Sequence, residues 1–176
     1  MANTYAAIAK QVLTGNQTSV TFNSIPQGFT DLVLQISTRS TSTSATYDAI
    51  YVQFNSLSNV YSYTELFGYT TGVLSSHDQY GSTKGFLGWY GTATTTTNTF
   101  SSGEIYIPNY TSSIYKTISI TSVTQNNATT SEAVYLTTAS ELLSSTDAIN
   151  SLTLSLFSAG SFVSNSRFDL YGIKNN

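Results

Sequence analysis

The only histidine of the chain, His77, lies in the run Ser75-Ser76-His77-Asp78-Gln79, where three residue types of a hydrolytic triad stand side by side. In a Ser-His-Asp triad the members come from separate elements that converge in space, and no Gly-x-Ser-x-Gly elbow is present here. We therefore expect His77 to be an exposed loop residue rather than a catalytic base.

Carboxylates are the second group that could do chemistry. With one His and no Cys, the sequence excludes a zinc centre, and the nine Asp and Glu residues show no metal-ligand spacing. Asp48 and Glu104 could face each other across neighbouring strands, as the two carboxylates of a glycosidase do. Nine acidic residues give many accidental pairs, however, so we predict no catalytic residue, no metal and no cofactor.

Aromatic residues give a third candidate site. The segment Gly85–Gly91 carries the only Trp, Trp89, together with Tyr90 and Phe86 among three glycines. Exposed aromatic faces on a glycine-rich loop stack on sugar rings or anchor a protein partner. The alternative is that Trp89 only caps the core. Trp89, Tyr90 and Phe86 are thus the candidate residues for binding a partner or a glycan.

The elements that would position these residues are strands. Apolar and polar residues alternate with a period of two along most of the chain, and no segment keeps a helical period for three turns. This pattern predicts an all-β, antiparallel β-sandwich of eight to ten strands. The inward positions predicted for its core are Leu32, Leu34, Ile36, Ile118, Ile120, Leu152, Leu154 and Leu156.

The sequence predicts one domain over residues 1–176, with some irregular parts. Thr14-Gly15-Asn16-Gln17 has the turn chemistry of a hairpin between Ala7–Leu13 and Thr18–Phe22. Residues 68–100 contain many glycines and a threonine tract, which predicts a long loop-rich excursion with one or two strands in it. Ser140–Ser145 is interpreted as a single helical turn.

Composition limits the partners. Of 176 residues 57 are Ser or Thr, whereas only 9% are charged and the net charge is -3. The six basic residues stand singly, which argues against a nucleic-acid partner. No apolar stretch approaches 18 residues and no signal peptide precedes the first strand, so we expect synthesis in the cytosol and no membrane partner.

Several segments together resemble a known group of proteins. Residues 8–22, 24–32 and 149–157, and above all the ending Ser166-Arg167-Phe168-Asp169-Leu170-Tyr171-Gly172-Ile173, resemble small virion proteins of tailed bacteriophages of marine and freshwater bacteria, including cyanobacteria. The resemblance implies a jelly-roll-like sandwich displayed on the particle surface after assembly in the host cytoplasm. It implies no catalytic residues.

Two functions follow as expectations. The first is a non-enzymatic virion structural protein, a capsid decoration or cement protein that contacts other virion proteins. The alternative is the receptor-binding tip of a tail fibre or spike, which would recognise host surface glycans. A polysaccharide-cleaving enzyme is a third and weaker interpretation, because the sequence carries no recognisable carboxylate motif. Low net charge and 13 tyrosines favour association, and the resemblance implies a homotrimer.

Overall fold

A computed structural model describes residues 4–69, 72–126 and 135–174, and it places twelve β-strands in these ranges. The strands are β1 (Thr4–Val12), β2 (Ser19–Phe22), β3 (Asp31–Thr38), β4 (Tyr47–Phe54), β5 (Tyr61–Tyr69), β6 (Gly72–Ser82), β7 (Gly85–Gly91), β8 (Ser101–Ile107), β9 (Lys116–Thr124), β10 (Tyr135–Leu143), β11 (Leu152–Leu156) and β12 (Arg167–Lys174).

These strands form two antiparallel sheets of unequal width. The large sheet has eight strands in the order β1-β12-β3-β8-β9-β10-β5-β6, and the small sheet has four in the order β2-β11-β4-β7. The prediction of an all-β, antiparallel sandwich is confirmed, with twelve strands in the described ranges rather than eight to ten. The jelly-roll connectivity stays a prediction.

Strand alternation builds the core between the sheets. In β9 and β11 every second residue is buried, so that Ile118 and Ile120 of the large sheet join Leu152 and Leu154 of the small sheet in one core. All eight residues predicted for the core are buried. Buried tyrosines contribute as well, and the Tyr61 hydroxyl accepts a hydrogen bond from the Phe54 backbone N–H at 2.8 Å.

The small sheet covers only part of the large one. Its edge strand β7 packs across the sandwich on β9 and β10 and reaches β5. Most residues of β6, the edge strand of the large sheet, are exposed. The inner face of β5 and β6 beyond β7 therefore has no opposing strand among the described residues, and we call this region the overhang.

The predicted hairpin at the start of the chain is wrong. β1 pairs with β12 in the large sheet, and β2 pairs with β11 in the small sheet, so the segment between them crosses from one sheet to the other. Gly15 and Asn16 do not adopt the positive φ that a two-residue hairpin turn requires. The segment is held by the last part of the chain instead, where Gln17 and Phe162 exchange backbone hydrogen bonds.

Two further local predictions need correction. Ser140–Ser145 is not a helical turn, because its first four residues continue β10, where Glu141 and Leu143 face inward. Residues 68–100 do contain two strands, as expected, but they are not mainly loop: β6 and β7 each form the edge of a sheet. In Ser140–Ser145 the buried Glu141 concealed the alternation of apolar and polar residues. In residues 68–100 the glycines concealed it.

Two buried cations hold loops through backbone carbonyls. The Arg39 guanidinium donates three hydrogen bonds, of 2.7 to 3.0 Å, to carbonyl oxygens of the threonine-rich loop between β7 and β8. Lys116 Nζ donates to the carbonyls of Ser145 and Asp147 between β10 and β11. Both side chains thus replace backbone partners that these irregular segments cannot provide for themselves.

The core assignment predicts the effect of a truncation. Leu154→Ala should lower the free energy of unfolding by about 2–5 kcal/mol, because the fully buried side chain leaves a cavity. Urea denaturation followed by tryptophan fluorescence measures this loss. The control is Thr117→Ala on the outward face of β9, which should change stability by less than about 0.5 kcal/mol. Equal losses in the two variants would contradict the assignment.

Candidate functional site

The aromatic segment predicted from the sequence forms strand β7, which carries a β-bulge. Ala49 pairs with Trp89 and Tyr51 pairs with Phe86, so three steps along β7 oppose two along β4. Gly88 occupies the bulge with a φ of +103°, and a Cβ at this position would lie 2.4 Å from Ser122 Oγ. Only glycine satisfies both requirements, and the bulge turns the residues after it relative to those before it.

Two of the three predicted binding residues are wrong. Phe86 and Tyr90 are fully buried in the core and present no face to a ligand. The Tyr90 hydroxyl lies where a side chain on Gly103 would project, 2.0 Å from the ideal Cβ position, so that the ring fills the space above β8. The glycines of this segment therefore serve close packing, rather than the exposure that the sequence pattern suggested.

Trp89 is half-buried and lies at the margin of the overhang. Its Nε1–H donates a 2.9 Å hydrogen bond to Glu65 Oε2 on β5. Its ring makes edge-to-face contacts with Phe86 and Tyr47, at centroid distances of 5.4 and 5.1 Å. Trp89 therefore both closes the edge of the core and contributes a wall to the surface beside it.

That surface is an apolar cleft of about 260 Å³, which we call the aromatic cleft. Tyr135 lies at its centre, 4.6 Å from Tyr47 and 6.2 Å from Phe67 between ring centroids, and it stacks on Tyr69 at 6.5 Å. The cleft is lined by Tyr47, Phe67, Tyr69, Leu74, Trp89 and Tyr135. These side chains come from β4, β5, β6, β7 and β10, which meet at the overhang.

A second cavity, of about 320 Å³, adjoins the cleft on the other side of Tyr47 and Trp89. Its walls include the exposed Phe157 and several small polar residues, among them Ser42 and Ser44. Asp48 also lines it, but both carboxylate oxygens of Asp48 accept hydrogen bonds from Ser158. Tyr47 and Trp89 thus form a ridge between two largely apolar cavities, of which the second also has serine hydroxyls in its wall.

Two carboxylates lie beneath this surface on the inner face of the large sheet. Burial raises the pKa of Glu65, against the opposing effect of the Trp89 hydrogen bond. Burial also raises the pKa of Glu141 to about 8, although the Phe86 backbone N–H donates to its Oε2 at 2.7 Å. Glu141 Oε1 has no hydrogen-bond partner, so the neutral carboxylic acid is the favoured form at neutral pH.

The fold does not bring the remaining candidate catalytic residues, His77, Asp48 and Glu104, together. His77 is exposed on the outward face of β6, where it pairs with Thr64. Asp48 lies on β4 of the small sheet, whereas Glu104 faces solvent from β8 of the large sheet. The glycosidase pair considered from the sequence therefore does not form. Within the described residues no group of three or more His, Asp or Glu residues could hold a metal ion.

The sequence did not identify most of the aromatic cleft. Phe67 and Tyr69 continue the inward set of β5 that begins at Tyr61 and Tyr63, so an alternation of aromatic residues, interrupted by Glu65, was the available signal. Tyr47 and Tyr135 come from distant parts of the chain. Only the strand order brings them together, and single-strand periodicity does not contain that order.

Comparison with known proteins gives no relative. No protein-family model, no curated protein and no solved structure matches this chain. Among residues 4–69, 72–126 and 135–174 there is also no helix with the length and apolar character that a membrane crossing requires.

The raised pKa of Glu141 predicts a pH-dependent stability. Because the folded protein binds this proton more tightly than the unfolded chain does, the contribution is complete below about pH 4.5 and is lost as the pH rises through about 8. Glu141→Gln should therefore flatten the decline of the free energy of unfolding between pH 5 and pH 8.5 by about a few kcal/mol. Urea titrations at several pH values measure the free energy of unfolding of both proteins and therefore this difference.

Asp147→Asn, which alters an exposed carboxylate, is the matched control and should keep the decline of the original protein. If the free energy of unfolding of Glu141→Gln declined with pH as steeply as that of the original protein, Glu141 would not be the titrating group.

Proposed function

We propose that this chain is a non-enzymatic structural protein displayed on the surface of a tailed-bacteriophage particle, where it decorates the capsid by docking on another virion protein. The observation that carries the proposal is the overhang, where no described residue of the chain covers the aromatic cleft or the edge strand β6. The resemblance of the closing strand to small virion proteins gives the setting. Assembly in the host cytoplasm and exposure on the finished particle belong to the same proposal.

The chemistry of the aromatic cleft favours a protein partner. Its six lining residues offer no carboxylate, amide or basic group, and the Trp89 indole N–H already donates to Glu65. The hydroxyls of Tyr47, Tyr69 and Tyr135 are the remaining polar groups, and most of the wall is aromatic or aliphatic, which favours apolar side chains as the occupant. Tyrosine, tryptophan and phenylalanine are the residues enriched where protein interfaces bury their centre.

Strand β6 provides a second element for docking. It is eleven residues long, forms an edge of the large sheet, and contains no Pro, Lys or Arg to prevent pairing with another strand. Leu74 on its inner face is 50% exposed and also lines the aromatic cleft. We expect an extended segment of another virion protein to pair with β6 and to insert apolar side chains into the cleft.

The absence of enzymatic activity is part of the proposal. Glu65 and Glu141, the carboxylates beneath the cleft, are almost fully buried, and each is engaged by a group of β7. A glycosidase needs two carboxyl groups that reach the same bond of a substrate. The buried pair is better suited to holding β7 against the large sheet.

A receptor-binding role on a tail fibre or spike is the second candidate. The ridge of Tyr47 and Trp89 favours it, because that ridge separates the apolar cavity from one that contains serine hydroxyls. A host glycan could stack on the ridge while its hydroxyl groups bond to the serines. This candidate requires binding of isolated glycan, whereas the decoration proposal requires binding of particles.

Leu74→Asp tests the decoration proposal. The substitution places a charge in the aromatic cleft and should abolish co-sedimentation of the chain with phage particles that lack it, because a buried unpaired charge is costly. Ile114→Asp is the matched control, since Ile114 is 52% exposed in the connection between β8 and β9 and lies outside the cleft. It should bind particles like the original protein.

Melting temperatures of both variants should stay close to that of the original protein, since each side chain is half exposed. Retained co-sedimentation of Leu74→Asp would remove the cleft from the docking surface. Binding of host glycan but not of particles by the original protein would favour the receptor-binding candidate.

The proposed assembly is a homotrimer that needs neither disulfides nor metal. Light scattering of the purified chain at micromolar concentration should then give three times the 19.0 kDa of one chain. Tyrosines exposed on the described surface, such as Tyr5 and Tyr80, supply side chains that interfaces favour. A mass near 19.0 kDa would show that the free protein is a monomer.

A further inference from the structure

The outward face of the large sheet contains a groove of about 510 Å³, on the opposite side of this sheet from the aromatic cleft. It runs across β12, β3, β8 and β9. In contrast to the cleft, about half of its wall is polar, and the polar residues include Gln35, Glu104, Thr121, Arg167 and Asp169. A volume of this size is within the range of small-molecule sites in proteins.

Strand register places the polar side chains of the groove in two adjacent rows. One row crosses the sheet through Asp169, Gln35, Glu104 and Thr121, which are direct cross-strand partners in that order. The next row, two residues along each strand, begins with Arg167 and continues through the hydroxyl groups of Ser37 and Ser102. Cross-strand neighbours on one face lie about 5 Å apart, so the rows form a polar floor that ends at Val123, the β9 partner of Ser102.

Asp169 is the unusual member of this floor. It lies on the outward face but is only 5% exposed. Its Oδ2 accepts a hydrogen bond and an ion pair from Arg167 Nε, while its Oδ1 is buried without any hydrogen-bond partner. A buried carboxylate oxygen without a donor is costly, so a donor from outside the chain that displaces the group covering Oδ1 would gain a favourable hydrogen bond there.

Arg167 is held in place by this contact. Because Nε is bound to Asp169, the guanidinium plane is fixed, and its two terminal nitrogens make no hydrogen bond within the described chain. The Arg167 side chain is 49% exposed, so these donors are available in the groove. Asp169 Oδ1 therefore requires a donor close to the place where Arg167 requires an acceptor.

A hydroxyl group can satisfy both requirements, because it donates and accepts at once. The serine and threonine hydroxyls and the Gln35 amide, which donates only a long 3.4 Å bond to Glu104, extend this pattern along the groove. The charges nearly balance: Arg167 and Lys10, the β1 partner of Asp169, oppose Asp169 and Glu104. Neither a strongly anionic nor a strongly cationic ligand is favoured.

We infer that this groove is a binding site for a neutral saccharide, with Arg167 and Asp169 bonding to adjacent hydroxyl groups of one sugar ring. The site is separate from the aromatic cleft and does not depend on the decoration proposal. A chain that docks on a particle through the overhang would leave the outward groove open to solvent.

An array of neutral hexose oligosaccharides, probed with the purified full chain, tests the inference. Isothermal titration calorimetry with the best-bound oligosaccharide then compares variants of the groove. Arg167→Ala and Asp169→Asn should each weaken binding by about tenfold or more, since each removes a partner of the same sugar ring. Arg167→Lys keeps the charge but loses the planar fork, and it should also weaken binding.

Asp147→Asn is the matched carboxylate control and Leu74→Asp is the control for the aromatic cleft, and both should bind as the original protein does. Melting temperatures verify that each variant is folded. If Arg167→Ala does not fold, Arg167→Lys takes its place in the binding measurements. The inference is overturned if no neutral oligosaccharide binds, or if binding survives the groove variants. It is likewise overturned if Leu74→Asp, rather than the groove variants, abolishes binding.

Discussion

The unequal width of the two sheets determines most of what is distinctive in this molecule. A sheet buries one face only where another layer lies against it, and four strands cannot cover eight. Where β7 ends the small sheet, the inner face of the large sheet continues through β5 and β6 with its aromatic side chains still directed inward. Within the part of the chain that the structure describes, the aromatic cleft is the end of the core that the small sheet does not cover, and the position of β7 decides where that end begins.

For that reason the contacts that hold β7 are central to the site as well as to the fold. Glu141 binds the Phe86 backbone, Glu65 binds the Trp89 indole, and hydroxyl groups of β9 bind the backbone around Trp89. Gly88 lets the strand approach Ser122 closely. The residues that hold β7 in place therefore contribute both to the aromatic cleft and to the packing of the core.

Period-two alternation was sufficient to predict the fold class and the core, because burial on one face of a strand is a local property of sequence. Leu32, Ile118 and Leu154 are correct for this reason. The hairpin between β1 and β2 failed, since turn residues near Gly15 do not specify whether the next strand stays in the same sheet.

The candidate site was less predictable than the core. Trp89 was found because a single Trp beside glycines is conspicuous, whereas the burial of Phe86 and Tyr90 follows from a bulge that pairing with β4 defines. The residues of the polar groove are likewise brought together by strand pairing. Arg167 and Asp169 are two residues apart on one strand, but their proximity to Gln35 and Glu104 depends on the order of strands across the sheet.

The two buried cations have a consequence for the conditions that the protein tolerates. Arg39 and Lys116 hold their loops through backbone carbonyl dipoles instead of exposed carboxylates. Dissolved ions screen charges that face water, but they screen contacts inside the protein much less. Dissolved salt should therefore weaken these two anchors less than it would weaken ion pairs on the surface.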